Sequence, residues 1–289
     1  MKYRAIEAKK AEVYIGRSCK LFDVSESGFY SWKKREPSQH QKDEMVLLTH
    51  IKSQFTSSNE TYGSPRMTVE LKEIGLMVGR HRVARMMRQN GLKALMPKRF
   101  KRTTDSDHNF LIAPNILNQD FTTTAPNQKW GVDISYIWTS EGWLYLAIVI
   151  DFYSRKIIGF ETSDRLKKDL AITALKRAIA IRRPSNDIIH HSDRGSQYCS
   201  YDYQNLLKDF GFTISMSGKG NCYDNAMVET VFKTIKSELI WRNSFKTRDS
   251  ATNDIAQYIN GFYNSKRRHS ALGYQSPIQF KNQILKLAA

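Results

Sequence analysis

The 289-residue sequence predicts a mixed α/β sheet with helices on both faces, preceded by an all-α helix-turn-helix region. Three observations carry this expectation. From Trp130 onward, β-branched and aromatic runs alternate with helical periodicities in the order strand, strand, strand, helix, strand, helix, strand, helix. Before residue 96, basic amphipathic segments come in pairs separated by short turns. Between them, 97–128 is polar, basic at its start and rich in Thr and Asn, as suits a linker or arm. The expected division is 1–96 for the helical region, 97–128 for the arm, 129–245 for the sheet domain and 246–289 for a C-terminal helix and basic tail.

The helical region opens with "SCKLFDVSESGFYSWKKRE", a helix, a turn and a second helix capped by Ser25 or Ser27. A second unit, "SPRMTVELKEIGLMVGRHRVARMMRQNGL", places Pro65 in a first helical turn, Gly75 and Gly79 around a turn, and Gly91 at a helix end. Val83, Met86 and Met87 recur at helical spacing as a core face, with Arg80, Arg82, Arg85 and Arg88 spread around the rest. A basic second helix after a short turn suits a major groove, so these four arginines are candidate DNA contacts; a solvated face is the bland alternative.

In the sheet domain "WGVDISYIW", "GWLYLAIVIDFYSR" and "KIIGFETS" are three strands joined by short turns, as in an antiparallel meander. A helix "KKDLAITALKRAIAIRR" ends at Pro184; strand "DIIHHSD", helix "YDYQNLLKDFG", strand "FTISMS" and a long helix from Asp224 to about Trp241 follow. The last segment is one more helix and a basic, aromatic tail that includes Arg267 and Arg268, two further candidate DNA contacts.

Lys and Arg total 45 against 28 for Asp and Glu, a net charge of +17, which points to a polyanionic partner. The excess is uneven: residues 1–104 hold 22 basic and 10 acidic side chains, against 23 and 18 in the remainder. No apolar run has the length of a spanning helix and the N-terminus has no apolar signal core, so a cytoplasmic protein without a membrane partner is expected. Cys19, Cys199 and Cys222 lie far apart and form no Cys-x-x-Cys pair, which argues against a zinc site or a disulfide framework.

Against this basic background three acids stand out. Asp133 lies inside the first strand with Gly131 and Ser135 on its face, where an acid is costly unless paired or metal-bound. Asp193 ends the strand after the first long helix, where ligands collect in open α/β sheets. Glu229 lies near the start of the last helix, on a stripe with Lys233 and Lys236 that flanks the core face of Val228, Val231, Phe232, Ile235 and Leu239. Asp224 or Asn225 can cap that helix. If the two strands are adjacent, the acids meet at one point and need a cation between them. All-oxygen ligands favour Mg²⁺ or Mn²⁺, and two such ions suit in-line displacement at a phosphodiester. Each acid also has a plain reading: a solvent-facing edge acid, a turn residue, and an i,i+4 partner of Lys233.

The local wording then resembles a known family. "PNQKWGVDISYI" around Asp133, "HSDRGSQY" around Asp193 and "SGKGNCYDNAMVETVFKTIKSEL" around Glu229, with 35 residues between Asp193 and Glu229, are similar to insertion-sequence transposases of the DDE type. The tail "YNSKRRHSALGYQSPIQF" and the segments "SCKLFDVSESGFYSWKKR" and "YGSPRMTVEL" resemble the same family, specifically the second-reading-frame product of a two-frame bacterial element. The family commonly has Thr just ahead of its first Asp, where this sequence has Gly131-Val132.

The resemblance implies a ribonuclease H-like, retroviral-integrase-like catalytic core that uses two Mg²⁺ ions, with Mn²⁺ as a substitute. It implies cleavage at the element's ends and attack of the freed 3′-hydroxyl on another phosphodiester. Asp133, Asp193 and Glu229 carry over as catalytic metal ligands and Lys236 as a contact to terminal DNA; Lys233, on the same stripe, is a further candidate DNA contact. The implied partners are terminal inverted repeats and target DNA, further copies of the chain on DNA, and an upstream-frame (OrfA) product or fusion. A catalytically silent regulator and a ribonuclease H-like nuclease are the alternatives.

Overall fold

The computed structural model describes residues 2–94, 112–185, 187–218 and 221–287. The basic start of the expected arm lies outside the described residues. The chain divides into two compact units, 1–54 and 55–289.

In the first unit α1 (Lys2–Lys9), α2 (Ile15–Leu21) and α3 (Glu26–Lys34) gather Ile6, Cys19 and Phe29 into a buried centre, packed against Tyr3, Ile15, Val24 and Trp32. Of the two serines that could cap α3, Ser25 does so: its Oγ accepts the Gly28 N–H at 3.0 Å. α4 (Gln39–Ser57) spans the division between the units.

The second unit begins with α5 (Ser64–Glu73) and α6 (Arg80–Gln89). Pro65 sits in the first turn of α5, and Gly75, at φ +87°, supplies the left-handed residue that turns the chain after it. Val83, Met86 and Met87 are buried on α6, as their spacing predicts, and Met67 and Leu71 are buried on α5.

The sheet is built from β1 (Lys129–Thr139), β2 (Gly142–Asp151), β3 (Ile157–Ser163), β4 (Ile189–Ser192) and β5 (Thr213–Met216) in the order β3-β2-β1-β4-β5. The first three strands are the expected antiparallel meander, and β4 and β5 run parallel to β1 on its other side. One face is covered by α7 (Lys168–Arg182), α8 (Ser196–Cys199) and α9 (Tyr201–Asp209). Their apolar side chains close over Trp130 and Val132 of β1 and Ala147 and Val149 of β2. Gly159 of β3 permits that closeness, since a Cβ there would lie 2.3 Å from the Ala174 carbonyl oxygen of α7. Buried Arg182 then ties the end of α7 to buried Asp151 at 2.9 Å.

The last long helix, α10 (Ala226–Glu238), packs against β1 through a core face that includes Val228, Val231, Phe232 and Ile235. Burial of each such side chain contributes about 1.5–3 kcal/mol. α10 is shorter than its periodicity suggested. Separate 3₁₀ turns, Cys222–Asn225 and Ile240–Arg242, flank it. The short α8 was not foreseen as an element of its own.

The described part of the expected arm and the expected C-terminal helix and tail both pack within this unit. In 112–128, Leu117 is buried, and the Ile116 and Leu117 N–H groups both donate to Ser215 Oγ at 3.0 Å. At the C-terminal end, α11 (Arg248–Gln257) runs into a π turn, Tyr258–Tyr263, and α12 (Pro277–Leu287) follows. Asn264 just after the turn accepts from the Ile157 N–H at 3.0 Å and donates to the Ile157 carbonyl at 2.9 Å, which occupies backbone groups of edge strand β3. Among the described residues, no helix is long and apolar enough to cross a membrane.

Candidate active site

Strand register brings the first two acids together. β1 and β4 are adjacent and parallel, with Gly131 opposite His191. Two residues further along each strand direction stand Asp133 and Asp193. Asp133 Oδ1 accepts its neighbour's Ile134 N–H at 2.7 Å, and Asp193 Oδ1 accepts the Gly195 N–H at 2.9 Å in the turn that leads to α8.

The third acid arrives on α10, whose position is fixed by two contacts with β1. Asn225 Nδ2 donates to the Val132 carbonyl at 3.2 Å. Val228 seats over Gly131, where a Cβ would lie 2.6 Å from Val228 Cγ2 and 2.3 Å from the Phe152 ring. The glycine ahead of the first Asp is thus the space into which the helix fits. Glu229 follows Val228, one-third exposed, with its carboxylate 3.5 Å from Lys233 Nζ. The Glu229–Lys233 ion pair of the plain reading is therefore present, and it coexists with the convergence of the acids.

Electrostatics registers that convergence. The Asp133 carboxyl is pushed well above the usual carboxylate range, first by burial, then by the charge of Asp193 and also by that of Glu229. The Ile134 N–H and the Lys236 ammonium pull it back. Burial lowers the Lys236 ammonium and the charge of Asp133 opposes this, so Lys236 is a half-buried counter-charge at the site. Tyr198 on α8 is buried, and its hydroxyl is pushed well up by that burial and by the charge of Asp133.

Among the described residues, no three His, Cys, Asp or Glu side chains form a ready-made metal cage. The donor chemistry nonetheless fits a hard divalent cation: oxygen donors only, mutually repelling, with one carboxyl raised by its neighbours.

The two histidines beside Asp193 are structural. His191 is buried between Ser215 Oγ at 2.9 Å and Ser217 Oγ at 3.1 Å, and His190 meets the Tyr203 hydroxyl at 3.0 Å. Burial holds His190 down to about 3 and His191 to about 4, so both are neutral near pH 7. Arg194 donates to the Ser217 carbonyl at 2.7 Å.

Neither candidate cap closes α10 with its side chain: Asn225 holds the N-cap position without a side-chain bond, and buried Asp224 turns instead to the loop ahead of the helix and to the arm. It accepts from Gly218 N at 2.7 Å, Asn221 Nδ2 at 2.8 Å, and Asn115 Nδ2 and Gln119 Nε2 at 2.9 Å each. It thereby fastens the arm to the loop that leads into α10. Its one advance signal was an acid beside two asparagines in "NCYDN".

Comparison with known proteins bears on what this arrangement belongs to. Residues 123–222 match the family described as Integrase core domain, and 229–285 match a second family of that description, so Asp133 and Asp193 fall in the first and Glu229 opens the second. Residues 41–100 match an HTH-like domain. The insertion element IS600 uncharacterized 31 kDa protein of Shigella sonnei is 45% identical over 271 residues, covering 94% of this chain and 100% of that protein. The transposase InsF for insertion sequence IS3A of Escherichia coli strain K12 is 42% identical over 287 residues, covering 99% of this chain and 100% of its own length. This chain belongs to the insertion-sequence transposases of the IS3 type.

Transposases with this integrase core are metal-dependent polynucleotidyl transferases. Among solved structures, the HTLV-2 integrase catalytic core domain in complex with magnesium aligns at 15% identity with a TM-score of 0.41, over 54% of the transposase and 96% of that chain.

The basic residues of the transposase divide into two groups. Arg80, Arg85 and Arg88 are exposed on α6 and Arg82 is half-buried there, on the element expected to meet DNA. Arg267 and Arg268 turn inward, contrary to the expectation that they meet DNA. Arg267 forks onto Glu238 of α10, with contacts at 2.7 and 2.8 Å, and Tyr258 donates to the same carboxylate at 2.6 Å. Arg268 reaches Glu70 at 2.6 Å and pairs with Glu73, both on α5. Each guanidinium is nearly fully buried and spends its donors on carboxylates, which leaves little for a phosphate. Sequence shows a positive charge but not a distant partner.

Proposed function

We propose that the transposase binds the terminal inverted repeats of its element, breaks a phosphodiester at each end, and joins the freed 3′-hydroxyl to target DNA. The observation that carries this reading is Asp133 in β1 and Asp193 just past the end of neighbouring parallel β4, with Glu229 delivered by α10. Asp133, Asp193 and Glu229 would hold the divalent cations, two Mg²⁺ with Mn²⁺ as a substitute. The bound ions supply a lowered pKa for the attacking hydroxyl and charge stabilisation at the phosphoryl oxygens.

The chain's own groups do the rest. Gly131 and Asn225 set the height of α10 above β1, which fixes Glu229 relative to the two aspartates. Lys236 lies beside Asp133, where its ammonium can take a phosphate oxygen of the terminal strand. In cleavage, a water oxygen bonds to phosphorus as the P–O3′ bond breaks, and the leaving oxygen keeps the electron pair and is protonated. In joining, that 3′-oxygen attacks a phosphorus of the target and the P–O3′ bond there breaks. Bond count is conserved across the exchange, so no external energy source is needed.

End recognition is assigned to the basic helix α6, with Arg80, Arg85 and Arg88 at its exposed surface and Arg82 beside them. Because two ends must be joined together, the transposase acts as a homo-oligomer on DNA, with an upstream-frame product or fusion adding contacts. It works in the bacterial cytoplasm at the nucleoid.

The test is strand transfer of a labelled oligonucleotide bearing the element's terminal repeat, with Mg²⁺. Asp133→Asn, Asp193→Asn and Glu229→Gln should each lose product while retaining fold and DNA binding. Undiminished transfer in any of them removes that residue from the set. Degradation of an RNA–DNA hybrid without transfer would favour a ribonuclease H-like nuclease, and a mobility shift with no cleavage a silent regulator.

A further inference from the structure

Ile134 of β1 packs against the helical layer, but the next two residues on that face, Tyr136 and Trp138, run out of cover. Across the hairpin Tyr136 stands opposite Tyr145 and Trp138 opposite Trp143. The four rings make one continuous edge-to-face run, with centroid separations of 5.2 Å for Tyr136–Tyr145, 6.1 Å for Tyr136–Trp143 and 4.9 Å for Trp138–Trp143. Such rings are normally a source of burial energy. Here Trp138 is 60%, Trp143 47% and Tyr136 40% exposed.

The position of the run limits what it can meet. Tyr136 stands three residues beyond Asp133, on the other face of β1, where β1 has run past its pairing with β4 at Lys129–Gly131, so the patch lies along the same strand edge as the acids. Its rim is basic. Tyr145 pairs with Ser163, and the loop after Ser163 carries exposed Arg165 and Lys167. Between those two, the Leu166 carbonyl accepts from Gln197 of α8, the short helix that follows Asp193. The loop therefore links the aromatic run to the turn that holds the second acid. Flat π faces beside cationic side chains, on the strand that carries Asp133, match the makeup of single-strand nucleic-acid surfaces.

We propose that Tyr136, Trp138, Trp143 and Tyr145 form a stacking platform for unpaired bases of the DNA strand whose phosphodiester lies at Asp133 and Asp193, with Arg165 and Lys167 on its phosphates. This rests on the polynucleotide-transfer reading above. A blunt duplex hides its base faces; a strand led away from its partner at the scissile phosphate exposes them, and the platform receives them.

The test is a binding measurement on the full chain carrying Asp193→Asn, so that no chemistry is required and a failure here is separable from a failure of the catalytic assignment. The probes are a blunt duplex and the same duplex with a single-stranded tail containing 2-aminopurine. The parent protein should prefer the tailed probe and change its fluorescence. Adding Trp138→Ala and Trp143→Ala together should weaken tailed binding by about five- to a hundredfold per stacked base, abolish the fluorescence change and leave blunt binding unaltered. Trp138→Phe with Trp143→Phe, which keeps two rings, should retain most of the preference and controls for folding. Equal affinity of the alanine variant and its parent for the tailed probe would overturn the proposal. So would light scattering in which the alanine substitutions split an oligomer, since the occupant would then be a second copy of the chain.

Discussion

Val228 lies over Gly131 with no room for a side chain between them: a Cβ at 131 would stand 2.6 Å from Val228 Cγ2. Because Glu229 is the next residue on α10, this contact sets the distance between the third acid and the first. Gly131→Ala should lift α10 from β1, costing about 1–3 kcal/mol as overpacked sites do. Strand transfer should fall by far more than the remaining folded fraction explains. Thermal melting and transfer, measured on the same preparation, separate the two effects.

Lys236 is a half-buried cation whose charge favours ionised Asp133. Lys236→Ala should weaken end binding and make the slope of log K against log salt shallower by about 0.9. The melting temperature of the metal-free protein should change little, because the burial that lowers the Lys236 ammonium offsets its attraction to Asp133. Lys236→Arg should recover part of the end binding and of the slope, since charge is kept and geometry is not. An unchanged salt slope together with unchanged strand transfer would return Lys236 to a purely structural role.

The arginines of α6 and those near the C-terminus should respond oppositely. Arg267→Met strands Glu238, and breaking a buried pair in this way costs about 3–5 kcal/mol. Its salt slope for DNA should not change. Arg88→Ala, on the exposed side of α6, should leave stability within about 0.5 kcal/mol. It should reduce the salt slope by about 0.9 if it neutralises one phosphate. Denaturant titration and a binding series in salt give both numbers for each variant.

His190 sets a pH dependence. Burial first, then the neighbouring His191, hold it down to about 3 in the fold, against an ordinary value of about 6.5 when unfolded. Between those values the unfolded chain binds the extra proton. Stability therefore falls as pH drops from about 6.5 towards about 3, by up to about 1.4 kcal/mol per pH unit for one group. His191, held to about 4 by burial, acts in the same direction above its own value. His190→Gln should flatten the acid limb of a plot of unfolding free energy against pH. An unchanged limb would assign the acid sensitivity to other groups.

What could be read from sequence was local and periodic. The alternation around Asp133 disclosed its strand and face, the order of elements anticipated a mixed sheet, and the spacing of Val228, Val231 and Phe232 disclosed the buried side of α10. Gly131 could be seen as a departure from the family pattern, but the reason for it sits 97 positions away at Val228. Arg267 and Arg268 read as a basic tail because charge is visible in a sequence and the carboxylate that neutralises it is not. The asparagines beside Asp224 hinted at local donors, but not that Asn115 and Gln119, more than 100 positions earlier, would also meet on it. In each case the deciding contact is long-range, and chemistry alone does not name the partner.

The bond between Asn264 and Ile157 also has a consequence in time. The ribosome completes Ile157 of β3 and then makes another 107 residues before the side chain that seals that strand's edge exists. At ordinary elongation rates this takes about 5–20 s. During that interval a nascent chain carries its strands with an unsealed border, the state in which neighbouring nascent chains can pair edge to edge. A product cut short before Asn264 would keep that border permanently, so incomplete synthesis should yield sticky, rapidly cleared fragments rather than a dominant-negative catalytic domain.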